Sequence, residues 1–299
     1  MQIKVLGSAA GGGFPQWNCR CPTCQLAWNQ DPRVKPRTQS SLAISADGDH
    51  WLLLNASPDL RQQISETPAL HPRHGSRHSP VCGVLVTNGD IDHIAGLLSL
   101  REQQAFGLYG TRETLAELAA NPVFGVLNPA LVARHEISLE TPLEIAPGLR
   151  IVPFAVPGKA PLYAEGENLE IGAETGTTIG LEISNGSVRA YYIPGCAGVT
   201  PKLKQRLAGA ALLMFDGTTF TEDEMVRLGL SQKTAWRMGH VPMSGLNGSL
   251  ASLADAQVQR KIYLHINNTN PVLVDASPER QQVEQAGWEV AFDGMEIVL

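Results

Sequence analysis

VCGVLVTNGDIDHIAGLL, residues Val81 to Leu98, is the stretch on which the reading of the chain turns. Five of its first six residues are apolar, which suits a strand, Val81 to Val86, covered on both faces. Thr87 to Ile91 reads as a turn, and a helix opens near Asp92-His93 and runs on through Ala95 to Glu102. The turn presents Asn88, Asp90, Asp92 and His93 together at the end of the strand. Side chains held there are aimed by a rigid element, which is where a metal site works best.

Around this stretch, 299 residues that are 43% hydrophobic, with 29 Gly and 20 Pro, are enough for one large domain or two closely packed halves. The expected organisation is one domain over 1–299, made of two similar halves, with a cysteine-rich knuckle at 19–24. A net charge of −6 without a long basic run argues against nucleic acid or an anionic membrane surface as partner. No apolar run approaches the ~18 residues of a membrane span. Met1 to Gly13 carries one lysine, a short strand pattern and glycines, so it lacks the apolar core of a signal peptide. A cytoplasmic protein is expected. In that compartment five cysteines, three of them within six residues, suggest a metal knuckle rather than a disulfide framework.

Ile3 to Leu6 reads as a first strand, followed by the small-residue loop Gly7 to Gly13. That loop matches neither the P-loop nor the dinucleotide pattern, and a backbone passing close to a metal site accounts better for its glycines. Cys19, Cys21 and Cys24 at C-x-C-x-x-C spacing can face one tetrahedral zinc ion. The alternatives are three unconnected buried thiols, or a redox pair of Cys21 and Cys24 without the strand-helix context such a pair needs. Three thiolates require a fourth ligand from elsewhere, and a closed site of this kind is structural. It would staple the long first loop to the domain.

Ser41 to Ser45 and Trp51 to Leu54 read as strands around a turn at Asp47-Gly48-Asp49. The chain then leaves the sheet toward a helix, with Ser57 as candidate cap and Pro58 in the first turn. His71, His74 and His78 form either a second metal cluster or an exposed loop of solvated histidines. Thr111 to Ala120 is a helix opened by Thr111. Leu149 to Val156 is a strand, and 160–177 is an acidic loop. Asn185-Gly186 marks a hairpin between Thr178 to Ser184 and Ser187 to Ile193, which echoes the earlier strand pair. Ala211 to Phe215 is a buried strand ending at Asp216, which either reaches the site or caps its own turn. His240 lies in a loop before a helix-like run from Leu246 to Gln257. The strand Ile262 to Leu264 delivers His265, and the chain closes with Trp288 to Phe292 and Glu296 to Leu299.

The spacing Thr87-Asn88-Gly89-Asp90-Ile91-Asp92-His93 resembles the T-H-x-H-x-D-H signature of the metallo-β-lactamase superfamily, with Asn88 and Asp90 in place of the first two histidines. The resemblance implies an α+β fold, a four-layer αββα sandwich. It also implies a third histidine ligand after the strand ending at Val156, where this chain has Pro157-Gly158-Lys159. Where relatives carry a metal-bridging aspartate, this chain offers Gly195 or Cys196, the latter as ligand or as small core residue. A histidine near His240 donates protons in related folds, and His265 stands where the superfamily has its last metal ligand. One metal position is therefore spoiled, while Asp92, His93 and His265 keep the other. Two imidazoles and one carboxylate with open positions are the ligand set of non-haem iron(II) oxygenases. A mononuclear zinc hydrolase would use similar ligands.

A closer resemblance covers essentially the whole chain. WNCRCPTC (17–24), SPVCGVLVTNGDIDHIAGLL (79–98), MGHVPMSG (238–245), YLHINNTNP (263–271) and FDGMEIVL (292–299) are together similar to the pyrroloquinoline quinone biosynthesis protein B family. That family implies a role in making the quinone cofactor from a cross-linked Glu-Tyr precursor. The expectation is an iron-dependent hydroxylase, with Fe(II) on Asp92, His93 and His265, dioxygen as co-substrate, and Asp90 and His240 moving protons or orienting the substrate. The alternative is a non-catalytic carrier of the cofactor or its precursor toward the periplasm; a metal-dependent hydrolase is disfavoured by the missing histidines. The knuckle also resembles that of a phosphodiesterase of phosphonate metabolism, whose fourth zinc ligand is a histidine three residues past the last catalytic one. Here that place is Asn268, leaving Asn268, a water or His240 as fourth ligand. No membrane insertion is expected, and a homodimer is the candidate assembly.

Overall fold

Odd and even positions of Trp51–Leu54 and Val81–Leu85 are both apolar, so these strands need cover on two sides. In the computed structural model, which describes residues 1–166, 169–186 and 188–299, they receive it. Fourteen strands among the described residues form two seven-stranded sheets. The first holds β1 (Gln2–Gly7), β2 (Ser41–Ser45), β3 (Trp51–Leu54), β4 (Val81–Leu85), β5 (Phe106–Gly110), β6 (Val132–Glu136) and, beside β1, the final strand β14 (Glu296–Val298). The second holds β7 (Leu143–Glu144), β8 (Arg150–Gly158), β9 (Ala173–Ser184), β10 (Arg189–Ile193), β11 (Ala210–Asp216), β12 (Val258–Leu264) and β13 (Trp288–Val290). Each sheet follows the same grammar. Antiparallel neighbours (β1-β2-β3; β8-β9-β10) are followed by parallel ones (β3-β4-β5-β6; β10-β11-β12-β13).

The period of two along each strand sorts its side chains into layers. Leu52, Leu54 and Leu85 of the first sheet meet Ile179, Leu181, Ile183, Leu212, Met214 and Ile262 of the second in the core between the sheets. Trp51, Leu53, Val84 and Val86 point the other way, onto Leu60, Ile94, Leu97 and Leu118 of the helices outside the first sheet. Tyr191, Leu213, Phe215 and Tyr263 pack outside the second sheet against Leu203, Leu207, Val283 and the three clustered cysteines. The layers are helix, sheet, sheet, helix, an α+β sandwich. Each fully buried Leu or Ile contributes about 1.5–3 kcal/mol, and truncating Leu54 to alanine would cost about 2–5 kcal/mol.

Several local expectations need correction. The helix after the central turn is a single α-turn, Ile91–Ile94, and Ala95–Leu100 is a tighter 3-10 segment. Gly96 sits there because a Cβ would collide with the backbone of Ala56 and Ser57. Ser57 does not cap the next helix, which runs Leu60–Glu66 from Asp59; its hydroxyl bonds Gln63 Oε1 instead. The run after Leu246 is helical only over Ser249–Ser252. The loop expected at 160–177 includes a 3-10 turn at Leu162–Ala164 and gives way to β9 at Ala173; its residues 167 and 168, like Ser187 of the expected hairpin, lie outside the described residues. Thr111 does cap Arg112–Ala120, accepting from the Thr114 amide.

Candidate metal centre

The parallel strands β3, β4, β11 and β12 all end at the same edge of the sandwich, and their following loops meet there. The loop after β4 carries Asn88, Asp90, Asp92 and His93, and β12 hands over directly to His265. His265 has φ +56, a left-handed backbone uncommon outside glycine. Its neighbours hold it there: the Gly217 amide donates to Leu264 O at 2.7 Å, and the Ile266 amide to Ser8 O at 2.9 Å. The glycine-rich first loop passes close by, and a Cβ on Gly11 would stand 3.5 Å from the Asp92 carboxyl carbon.

One ligand atom from each of Asp92, His93 and His265 falls within 4.8 Å of the others. Asn88 does not join them as a donor to metal. Its Oδ1 lies 2.6 Å from His93 Nδ1, and its Nδ2 donates to Asp90 Oδ2 at 2.9 Å. An amide oxygen can only accept, so His93 carries its proton on Nδ1 and keeps a lone pair on Nε2. That Nε2 is buried and has no hydrogen-bond partner. Burial above all holds the His93 ring down to about 4, so the lone pair is available at neutral pH.

The second imidazole is oriented in the same way. Thr218 Oγ1 gives its one proton to Asp216 Oδ1 at 2.7 Å and accepts from His265 Nδ1 at 2.9 Å. His265 Nε2 then faces Asp92 Oδ2 at 2.9 Å. Two acceptors at that distance need a proton or a cation between them. Burial pulls the His265 ring down, but the hydrogen bond and charge of Asp92 outweigh it and the net shift is upward. Burial likewise opposes the Asp92 charge, and His93 and His265 reverse that, leaving its carboxyl well below the usual range. An orphaned imidazole nitrogen beside an acceptor pair is the donor set a divalent metal fits.

Asp216 reaches this edge rather than serving only its turn. Its Oδ2 accepts from the Cys196 amide at 2.9 Å and meets His240 Nδ1 at 2.6 Å. Asp216, His240 and His265 form a second group within 4.8 Å, sharing His265 with the first. The His240 ring stacks on His265 with centroids 5.3 Å apart. Cys196 contributes its amide only; its thiol is buried against Gly198 O, and burial pushes it up. Gly195 lines the site, and a Cβ there would stand 3.8 Å from His240 Cε1. Asp90 faces Asn88, and burial, then the charge of Asp92, raises its carboxyl.

The sulfur atoms of Cys19, Cys21 and Cys24 form a separate buried cluster within 4.8 Å. Asn268 closes it, with Nδ2 at 3.2, 3.6 and 3.3 Å from the three sulfurs in that order. His240 is engaged with Asp216 instead. A helix, Pro22–Trp28, does follow Cys21, which corrects half of the expected context. Hydrogen bonding from Cys24 lowers Cys21 to about 5, while the same pairing raises Cys24. His71, His74 and His78 join none of the ligand clusters found among the described residues. Sequence reasoning missed Thr218 and the orienting role of Asn88; Asp216-Gly217-Thr218 is an Asx-type turn, the one signal that could have exposed the first.

Comparison with known proteins agrees with this fold. The family model described as a beta-lactamase superfamily domain matches residues 50–266. A coenzyme PQQ synthesis protein B from Methylobacterium nodulans is 58% identical over 299 residues, covering all of both chains. The crystal structure of Zn(2+)-bound PqqB from Methylobacterium extorquens superposes with a TM-score of 0.99 at 57% identity, again over all of both chains. A diphosphatase from the PhnP family shares the fold, with a TM-score of 0.69 at 20% identity over 99% of this chain and 96% of its own. No described helix is long and apolar enough to cross a membrane.

Proposed function

The chain belongs to the coenzyme PQQ synthesis protein B family, within the beta-lactamase superfamily, and from that premise we propose that it hydroxylates the tyrosine ring of a cross-linked Glu-Tyr precursor in an iron-dependent reaction. The carrying observation is the unpartnered Nε2 of His93, beside Asp92 and His265, in a site where Asn88 has turned from ligand to hydrogen-bond partner. Asp92, His93 and His265 would hold Fe(II), and such an ion supplies dioxygen chemistry when bound. Zinc belongs in this reading to Cys19, Cys21 and Cys24, with Asn268 as fourth ligand through its amide oxygen, because the amide nitrogen that faces the sulfurs has no lone pair to give.

Ring hydroxylation by dioxygen would replace C–H with C–OH using one oxygen atom, while the other leaves as water with two electrons and two protons from an added reductant; the ring carbon sheds its hydrogen as a proton as the ring regains aromaticity. His240, with Nδ1 held by Asp216, presents its other nitrogen to take it. Asp90, whose carboxyl is raised, holds or accepts a proton close to the same edge. Asn88 and Thr218 fix the two imidazole tautomers throughout.

The test is metal analysis of anaerobically purified protein, followed by oxygen uptake with the cross-linked precursor. Fe(II)-dependent uptake coupled to a change in precursor absorbance is expected. Stoichiometric binding of the precursor with no uptake would leave a carrier. Cleavage of chromogenic esters with two metals per site would leave a hydrolase.

A further inference from the structure

Lys159 and Arg237 share one acid. Lys159 Nζ lies 2.9 Å from Glu165 Oε1, while Arg237 grips both oxygens of Glu165 at 3.1 and 2.8 Å. The Lys159 and Glu165 side chains are each only 11% exposed. Two cations against one carboxylate leave an excess positive charge, with Lys159 enclosed and the Arg237 side chain 38% exposed.

This group adjoins the metal centre on two sides. Lys159 follows Pro157-Gly158 at the end of β8, and its stem packs 3.0 Å from where a Cβ on Gly239 would be. Gly239 and Arg237 belong to the segment that delivers His240. Lys159 lines a cleft of about 260 Å³ with Ala164, Thr175 and Thr177, while Trp236 and His240, on either side of Arg237 in sequence, line a separate one of about 580 Å³. Glu165 comes from a short surface segment tied to the central turn. Leu162–Ala164 is one 3-10 turn, Leu162 and Tyr163 are exposed, and Tyr163 Oη bonds Gly89 O at 2.7 Å on the central turn itself.

We infer that Lys159 and Arg237 form the carboxylate-binding site for the substrate, and that Glu165 occupies it as an internal stand-in until a substrate carboxylate displaces it. Arginine forks and lysine point charges are the usual recognition pair for such a group. The inference rests on the proposed acidic, tyrosine-derived substrate, and it names the residues that would read that acidity.

Anaerobic calorimetric titration of the full chain tests it, with the cross-linked Glu-Tyr amino acid and the same compound with its carboxylates converted to amides. Lys159→Met and Arg237→Gln should each weaken binding of the acid by tenfold or more and leave the amide unchanged. Glu165→Gln, which removes the internal competitor, should tighten the acid several-fold. Circular dichroism checks that each variant is folded, and Arg237→Gln decides if Lys159→Met is not. Equal effects on acid and amide, no binding of either to the wild type, or weakened acid binding in Glu165→Gln would overturn the inference. Acid-selective binding without oxygen uptake would keep this site and remove the hydroxylase; uptake without acid selectivity would do the reverse.

Discussion

Asn88 Oδ1 lies 2.6 Å from His93 Nδ1, so the residue that stands at the first histidine of the T-H-x-H-x-D-H spacing orients a candidate ligand instead of supplying one. Removing it frees the imidazole to change tautomer and turn. Asn88→Ala should lower metal affinity at this centre by about 10–100-fold, the usual cost of losing such a partner. Competition against a chelator of known affinity measures it. Unchanged affinity would mean that packing alone orients His93.

His93→Ala and His265→Ala each delete a donor from the three-residue set and should leave the centre without metal. Asp92→Asn should do so too, but more gently for the fold, because its amide can donate to His265 Nε2 where the carboxylate could not. Its melting temperature without metal should stay within a few degrees of the wild type's, while the rise on adding metal disappears. Differential scanning calorimetry with and without chelator reads both. A preserved metal-dependent rise in Asp92→Asn would remove Asp92 from the ligand set.

The buried strand Val81 to Leu85 and the polar turn after it were legible because two-sided apolar runs and clustered ligands are local patterns. Asp92, His93 and His265 could be named from sequence, but Thr218 could not be given its role. Its hydroxyl links Asp216, two residues away, to His240 and His265, 22 and 47 positions away, and the local Asx-type turn records only the first of these. The Lys159–Glu165–Arg237 group was hidden for the same reason, since Arg237 lies 72 positions from Glu165. Helix ends failed where backbone crowding decided them. Gly96, pressed on Ala56, turns the expected helix into a 3-10 segment.

Acid should destabilise the metal-free protein through His93. Burial lowers this ring from 6.5 to about 4 in the folded state. Between those values the unfolded chain binds a proton that the folded one does not, so stability is lost as pH falls from about 6.5 to about 4. A shift of this size corresponds to about 3 kcal/mol in full. Urea midpoints at pH 7 and pH 4.5 should therefore differ by more in the chelated wild type than in chelated His93→Gln. Equal differences would mean that the folded protein admits the proton.

The knuckle makes the last prediction, because it separates a stapling ion from a reactive one. Cys19, Cys21 and Cys24 lie on the first long loop, while Asn268 comes from the segment three residues past His265. Zinc there would tie that loop to the wall that supplies the third ligand of the other centre, and its uptake would expel the thiol proton of Cys24, which the pairing with Cys21 raises. Cys24→Ser should lose one equivalent of zinc and several degrees of melting temperature, at roughly 2–4 °C per kcal/mol for a chain of this size. Metal binding at Asp92, His93 and His265 should persist, weakened through His265 alone. Metal analysis of the variant decides the matter, since loss of both metals together would make the two clusters a single unit.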